Sequence, residues 1–235
     1  MLIEQFGPDA GSCNEQRQPL AIIWDFNGTI LDDFALCLDT INQMLARRRL
    51  PILSADDYRA VFDFPVQNYY RQVGFDFDRE PFPDLAAEYM AIYQPASLYC
   101  PLRRNISDTL ADLRHRGMRQ VMLSATKRDF LLQQTDHFGL TGFFDEIIGL
   151  DDILGRSKMD HARDWFGRQP FDPAATCLIG DTTHDYAVAC ALRCDCLLLS
   201  GGHNSRERLA ATGACVLDDL AELGRIFRPA GQNGM

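Results

Sequence analysis

Leu20-Ala21-Ile22-Ile23-Trp24-Asp25-Phe26-Asn27-Gly28-Thr29 is the stretch on which the fold turns. Its first five residues form a short, continuous apolar run. Such a run suits a strand buried on both faces, as in a parallel sheet, better than a strand with one wet face. The run stops at Asp25 and enters a turn that carries Gly28 and Thr29. A carboxylate therefore stands at the carboxyl end of a buried strand.

The same pattern recurs toward the C-terminus. Strands are expected at 120–123, ending at Ser124, at 145–148, at 176–179, ending in Gly180-Asp181, at 196–199 and at 215–217. Helices are expected between them: 107–116, stopped by Gly117; 128–138, stopped by Gly139; 158–166; 183–192; and a last one after 217. Strand and helix in alternation imply an α/β fold, a doubly wound parallel sheet with helices on both faces.

Residues 34–97 break that alternation. Phe34, Leu38, Ile41 and Leu45 recur at helical spacing, with Asp32 or Asp33 placed to cap the helix. Ser54 and Asp57 resemble a capping box at the start of the next one. The rest, to about 95, reads as helices rich in aromatics. The expected plan is a loose leader at 1–18, a core domain at 19–32 and 98–235, and an inserted helical domain at 33–97.

Composition narrows the setting. The chain has 235 residues, of which 46% are hydrophobic, enough for one sizeable domain with an insertion. Its formal net charge of -10 disfavours nucleic acid and anionic membrane as partners. No apolar run reaches the length of a membrane span. Eight cysteines are present. They are not spaced as a disulfide framework and no signal peptide precedes them, so a reduced, soluble, cytoplasmic protein is expected. Cys190, Cys194 and Cys196 read as ordinary buried thiols rather than a soft-metal site. Arg47-Arg48-Arg49 reads as a solvated helix end, where positive charge is favoured.

The polar residues gather at strand ends. Asp25, Ser124 and Asp181 each follow an apolar strand, and ligands of open parallel sheets bind outside the carboxyl ends of the strands. Lys158 can add a cation from the start of a later helix. This set suits phosphoryl transfer. An aspartate can attack phosphorus, and a hard divalent ion such as Mg²⁺ can offset the repulsion between the two anions. Ser124 and Lys158 can hold phosphoryl oxygens.

Four segments then fall into register. Asp25-Phe26-Asn27-Gly28-Thr29, Ser124 after Val121-Met122-Leu123, Lys158, and Gly180-Asp181-Thr182-Thr183-His184-Asp185 resemble, in order, the four motifs of the haloacid dehalogenase superfamily. The inserted helices are similar to that family's cap, and the chain as a whole to its phosphoglycolate-phosphatase-like branch. The resemblance implies Asp25 as nucleophile and metal ligand, the Asn27 carbonyl and Asp181 as further ligands, and Asp185 as a ligand directly or through water. It implies phosphoryl binding by Ser124 and Lys158, with Gly28, Thr29 and Ala125 completing the substrate-binding set. The implied cofactor is Mg²⁺. The implied partner is a small phosphorylated metabolite, phosphoglycolate-like or a sugar phosphate. Whether the chain is a monomer or a homodimer stays open.

One position departs from the family pattern. The residue two after the nucleophile is usually an aspartic acid that protonates the leaving group and then activates water; here it is Asn27. An amide cannot exchange a proton near neutral pH, and general acid–base catalysis is worth about 10²–10⁴-fold. A slow enzyme or a long-lived aspartyl-phosphate is one consequence. A weak or inactive phospho-ligand-binding protein is the rival reading, and phosphonate or halogen cleavage a further one. His184, inside the fourth motif, is a candidate for part of the missing role. His203 belongs either to a surface loop or to the margin of the site. Residues 62–67 either line the substrate pocket or serve as core of the insertion.

Overall fold

The structure, a computed structural model, describes residues 16–17, 19–150, 158–170 and 172–228. Most of the proposed leader lies outside these residues. Within it, β1 (Gln16–Arg17) pairs in parallel with β8 (Phe227–Arg228), near the other end of the described chain.

A six-stranded parallel sheet forms the centre. Its strands are β2 (Ala21–Trp24), β3 (Arg119–Lys127), β4 (Glu146–Leu150), β5 (Thr176–Gly180), β6 (Asp195–Leu199) and β7 (Cys215–Leu217), in the spatial order β4-β3-β2-β5-β6-β7. The chain winds outward from β2 to β4, returns to the other side of β2 with β5, and winds outward again. The order therefore reverses between β2 and β5, where a doubly wound sheet opens a crevice at its carboxyl edge. Register is direct there: Trp24 pairs with Ile179.

The continuous apolar run of β2 has its cause in burial on both faces. Ile22 and Trp24 pack into one core cluster with Met122, Ile179 and Leu110. Ala21 and Ile23 point the other way, into a second cluster with Leu178, Trp165 and Val188. Helices α5 (Ile106–His115) and α6 (Arg128–His137), with α7 (Lys158–Gly167) and α8 (Thr183–Leu192), supply those layers. The short α9 (Arg206–Ala210) and α10 (Leu223–Ile226) close the C-terminal side.

Four helices intervene between β2 and β3: α1 (Phe34–Arg47), α2 (Ala55–Val61), α3 (Val66–Gln72) and α4 (Phe82–Ser97). They carry a core of their own, built on Ile41, Met44, Leu45, Tyr58, Tyr69, Tyr70 and Tyr93. Ser54 and Asp57 form the capping box expected at α2. Arg48 pairs with Glu80 and Glu88, tying the end of α1 to the α3–α4 connection and to α4.

Four details differ from the sequence reading. The strand expected to end at Ser124 continues to Lys127, because β4 resumes pairing at Lys127–Leu150 after a register shift. Gly149 allows this, since a Cβ there would meet the backbone of Thr126 and Arg128. Asp33 precedes α1 but gives its helix no side-chain cap. Cys215 is disulfide-bonded, against the expectation of thiols throughout, while six other described cysteines are free. Sequence spacing cannot reveal such a pairing, which depends on folded proximity. Of the thiols expected to be buried, Cys190 is exposed and Cys194 and Cys196 are half-buried. Among the described residues, no helix is long and apolar enough to cross a membrane.

Candidate active site

Asp25 leaves the carboxyl end of β2 with its N–H donating to the Ile179 carbonyl of β5 at 2.9 Å. Asp181 leaves the end of β5, and Asp185 sits in the first turn of α8. These three buried carboxylates lie close enough to share one ion. Lys158, at the first turn of α7, contacts Asp25 and donates to Asp185 Oδ1 at 2.6 Å. Its own side chain is 4% exposed.

The charges do not balance. Burial, joined by repulsion from Asp185 and Asp181, lifts the Asp25 carboxyl to about 8 despite the opposing pull of Lys158. Burial raises Asp181 to about 6, with His203 opposing and Asp185 adding. Burial acts on Asp185 in the same direction, but Lys158 and the Thr182 hydrogen bond hold it below the ordinary carboxylate range. For Lys158, the two carboxylates outweigh burial and hold the ammonium charged.

Missing Cβ atoms make room for these acids. A Cβ on Gly28, which has φ +74°, or on Gly202 would fall on the Asp181 carboxylate, and one on Gly180 would fall on Asp185. Asp181 is held at Oδ1 by the Thr29 hydroxyl at 2.9 Å and at Oδ2 by the His203 N–H at 2.6 Å. The Thr29 hydroxyl thus serves the carboxylate. Asp185 closes a capping box with Thr182, accepting from the Thr182 N–H at 3.0 Å and its hydroxyl at 2.6 Å. A hard divalent cation fits this oxygen-rich, glycine-lined pocket, where it would relieve the repulsion that raises Asp25 and Asp181.

Asn27 sits opposite, half-buried. Its Nδ2 donates to Asp33 Oδ2 at 2.8 Å and to the Tyr93 hydroxyl at 2.7 Å. Its Oδ1 accepts from the Thr126 hydroxyl at 2.8 Å and from Ser124 at 3.4 Å. An ionised carboxylate only accepts, so Asp33 fixes which way round the amide lies. Ser124 is therefore beside Asn27, 1% exposed, on β3. Ala125 is half-buried next to it on the same strand.

Asp33 is the residue that sequence reasoning placed wrongly. It is fully buried and accepts from Asn27, the Gly28 N–H at 2.9 Å, Tyr93 at 2.6 Å and the Cys37 thiol at 3.6 Å. His203 Nε2 stands 3.2 Å away. Burial opposes the charge on both partners. The imidazole nevertheless holds the Asp33 carboxyl below its usual range, and Asp33 lifts His203 to about 9. Asp33, Cys37 and His203 are close enough to share an ion, but donors already fill both oxygens of Asp33, so the group is a hydrogen-bonded knot. The sequence signal was present in the second acid of Asp32-Asp33, six residues past Asn27. Tyr93 and Thr126 gave no signal beyond their type.

His184 stacks on Phe64 of the insertion, with ring centroids 4.7 Å apart. Burial and the nearby Lys158 charge lower its pKa. His203 lies at the margin of the site and not on the surface, with 4% exposure. Phe62 packs with Tyr58, Tyr69 and His203, and Phe64 reaches the His184 ring, so residues 62–64 bridge insertion and core.

Comparison with known proteins matches residues 22–199 to the model of the haloacid dehalogenase-like hydrolase family. Over 219 residues the chain is 28% identical to a phosphoglycolate phosphatase of Pseudomonas syringae pv. syringae, covering 88% of this chain and 79% of that one. A structure described as a predicted phosphatase from Clostridium acetobutylicum superposes with a TM-score of 0.75 at 20% identity, covering 88% of this chain and 97% of that one. CbbY from Rhodobacter sphaeroides, solved in complex with phosphate, superposes with a TM-score of 0.68 at 20% identity over the same shares.

Proposed function

The chain belongs to the haloacid dehalogenase-like hydrolase family, and from that premise we propose that it hydrolyses a small phosphomonoester through an aspartyl-phosphate on Asp25. The observation that carries this reading is the convergence of Asp25, Asp181 and Asp185 on Lys158 at the carboxyl edge of the sheet, where strand order reverses. Asp25 Oδ would attack phosphorus while the ester P–O bond breaks. Lys158 and Ser124 would hold phosphoryl oxygens. Asp25, the Asn27 carbonyl and Asp181 would ligate Mg²⁺, with Asp185 joining directly or through water. That ion would neutralise the phosphoryl charge during attack.

Helices α1–α4, as residues 33–97, would act as a cap on the core formed by 19–32 and 98–235, excluding water when seated. The phosphoglycolate phosphatase relatives support a phosphoglycolate-like substrate; a sugar phosphate is the alternative.

Asn27 sets the pace in this scheme. The leaving alkoxide needs a proton, and the water that cleaves the acyl phosphate must lose one. With Nδ2 committed to Asp33 and Tyr93, the amide does neither. The second reading, a phospho-ligand-binding protein with weak turnover, rests on this network. Phosphate release from a panel of small phosphomonoesters, with Mg²⁺ and with chelator, tests the first. Metal-dependent release that Asp25→Ala abolishes supports hydrolysis. Tight binding of an ester by folded protein that never releases phosphate favours the second reading.

A further inference from the structure

His203 has no step in the proposed reaction, yet its contacts run in three directions. Its N–H donates to Asp181 Oδ2 at 2.6 Å. Its Nε2 lies 3.2 Å from Asp33 Oδ1. Its Nδ1 lies 3.0 Å from the Tyr58 hydroxyl of α2. The insertion grips the same loop elsewhere. Arg59 Nε donates to the Gly202 carbonyl at 3.1 Å, and Asn204 Nδ2 donates to the Phe62 carbonyl at 3.0 Å. The ring itself packs against Phe62, with centroids 5.0 Å apart.

Asp181 has little room to adjust. Gly28 and Gly202 border its carboxylate so closely that neither has space for a Cβ. Thr29 fixes one oxygen and the His203 N–H the other. Ring and N–H hang on the same Cα, so a shift of that Cα following the ring's contacts with Tyr58 and Asp33 also moves the N–H that Asp181 accepts from. Tyr58 therefore reaches Asp181 through one residue.

We propose that His203 is a positioning residue that couples the seating of the helical insertion to the Asp181 carboxylate, so that the Tyr58 contact sets how well Asp181 holds a divalent cation. The inference rests on reading Asp181 as a metal ligand. Tyr58→Phe isolates the coupling. The ring keeps its place among Phe34, Phe62 and Tyr69, and only the hydroxyl that meets His203 is lost.

The experiment is calorimetric titration of the full chain with Mg²⁺, without substrate, on wild type, Tyr58→Phe, His203→Ala and the double variant. Thermal melts check folding, and His203→Gln replaces His203→Ala if the latter is not folded. Tyr58→Phe is expected to weaken Mg²⁺ binding about threefold to tenfold, the range one buried hydrogen bond commands. In the double variant it is expected to add nothing to the loss at His203, the non-additivity of a shared path. Mg²⁺ affinity within twofold of wild type in Tyr58→Phe, or losses that multiply in the double variant, would overturn the coupling while leaving the metal site intact. Failure of wild type to bind Mg²⁺ would remove the metal reading and the coupling with it.

Discussion

Asn27 and Asp33 are best understood as a pair. The motif resemblance leads one to expect a carboxylate at position 27, and a buried carboxylate at 33 accepts from the amide found there. Asn27→Asp alone would set two acids about as close as the 2.8 Å that now separates amide nitrogen and oxygen. Such acids share a proton, which holds one of them neutral well above the ordinary carboxyl range. That proton is what the leaving group lacks. Asn27→Asp is therefore expected to raise phosphate release toward the roughly 10²–10⁴-fold worth of an acid–base group, and to lower the melting temperature above neutral pH as the shared proton leaves. The exchange Asn27→Asp with Asp33→Asn keeps an amide–carboxyl bond but gives up the Asp33–His203 pair, so it should recover only part of the lost stability. Steady-state release and thermal melts on the three proteins check both outcomes. Equal melting of the single and exchanged variants would count against the pairing.

At the scale of elements, the site depends on how closely β5 and α8 approach. The capping box at the start of α8 aims Asp185 back over Gly180, and Lys158 arrives from α7 to meet it. Gly180→Ala would drive a Cβ into that carboxylate. Displacement of about 1 Å at a reacting centre costs on the order of 100-fold, so phosphate release should fall by about that factor. Gly167→Ala, at the end of α7 with nothing within 4 Å of the added carbon, should leave the rate unchanged. Kinetics of the two variants side by side check whether packing at this junction, rather than glycine loss in general, is responsible. A different element carries plain stability. Ile23 of β2 is 1% exposed in the cluster between the sheet and α7–α8. Ile23→Ala should cost about 2–5 kcal/mol in denaturant melts.

For the whole molecule, the acid cluster makes stability depend on pH and metal together. Asp25 at about 8 and Asp181 at about 6 both stand above the 3.8 of an unperturbed Asp. The folded state thus binds their protons more tightly than the unfolded chain does. Metal-free stability should therefore fall as pH rises from about 4 through 8. The His203–Asp33 pair acts in the same direction at its upper end. Its contribution from the raised imidazole is full below 6.5 and lost as pH climbs through about 9. Mg²⁺ needs the ionised carboxylates, so its affinity should rise between about pH 6 and 8, with proton release on binding near neutrality. Thermal melts with chelator and with Mg²⁺ at pH 6, 7, 8 and 9 test this. The metal-free melting temperature should decline across the series, and the increment from Mg²⁺ should grow between pH 6 and 8. A flat metal-free series would contradict the charge imbalance.

The apolar run before Asp25, the alternation after 98 and the three strand-end polar groups could be read directly from the chain. Strand burial on both faces and helical spacing are local patterns that leave a periodic mark in sequence. That reading reached the parallel sheet and the meeting of Asp25, Asp181, Asp185 and Lys158 at one edge. It did not reach what each of these groups touches. The Asp33 carboxylate looked like a helix cap because capping is a local property. It turned instead to Gly28, Asn27, Tyr93 and His203, partners from 5 to 170 positions away. The Thr29 hydroxyl likewise meets Asp181, 152 positions on. A buried charge takes whatever donors the fold brings within about 3 Å. The distant partners, Tyr93 of α4 and His203 of the loop after β6, meet Asp33 through an arrangement of far-apart segments that only tertiary packing decides.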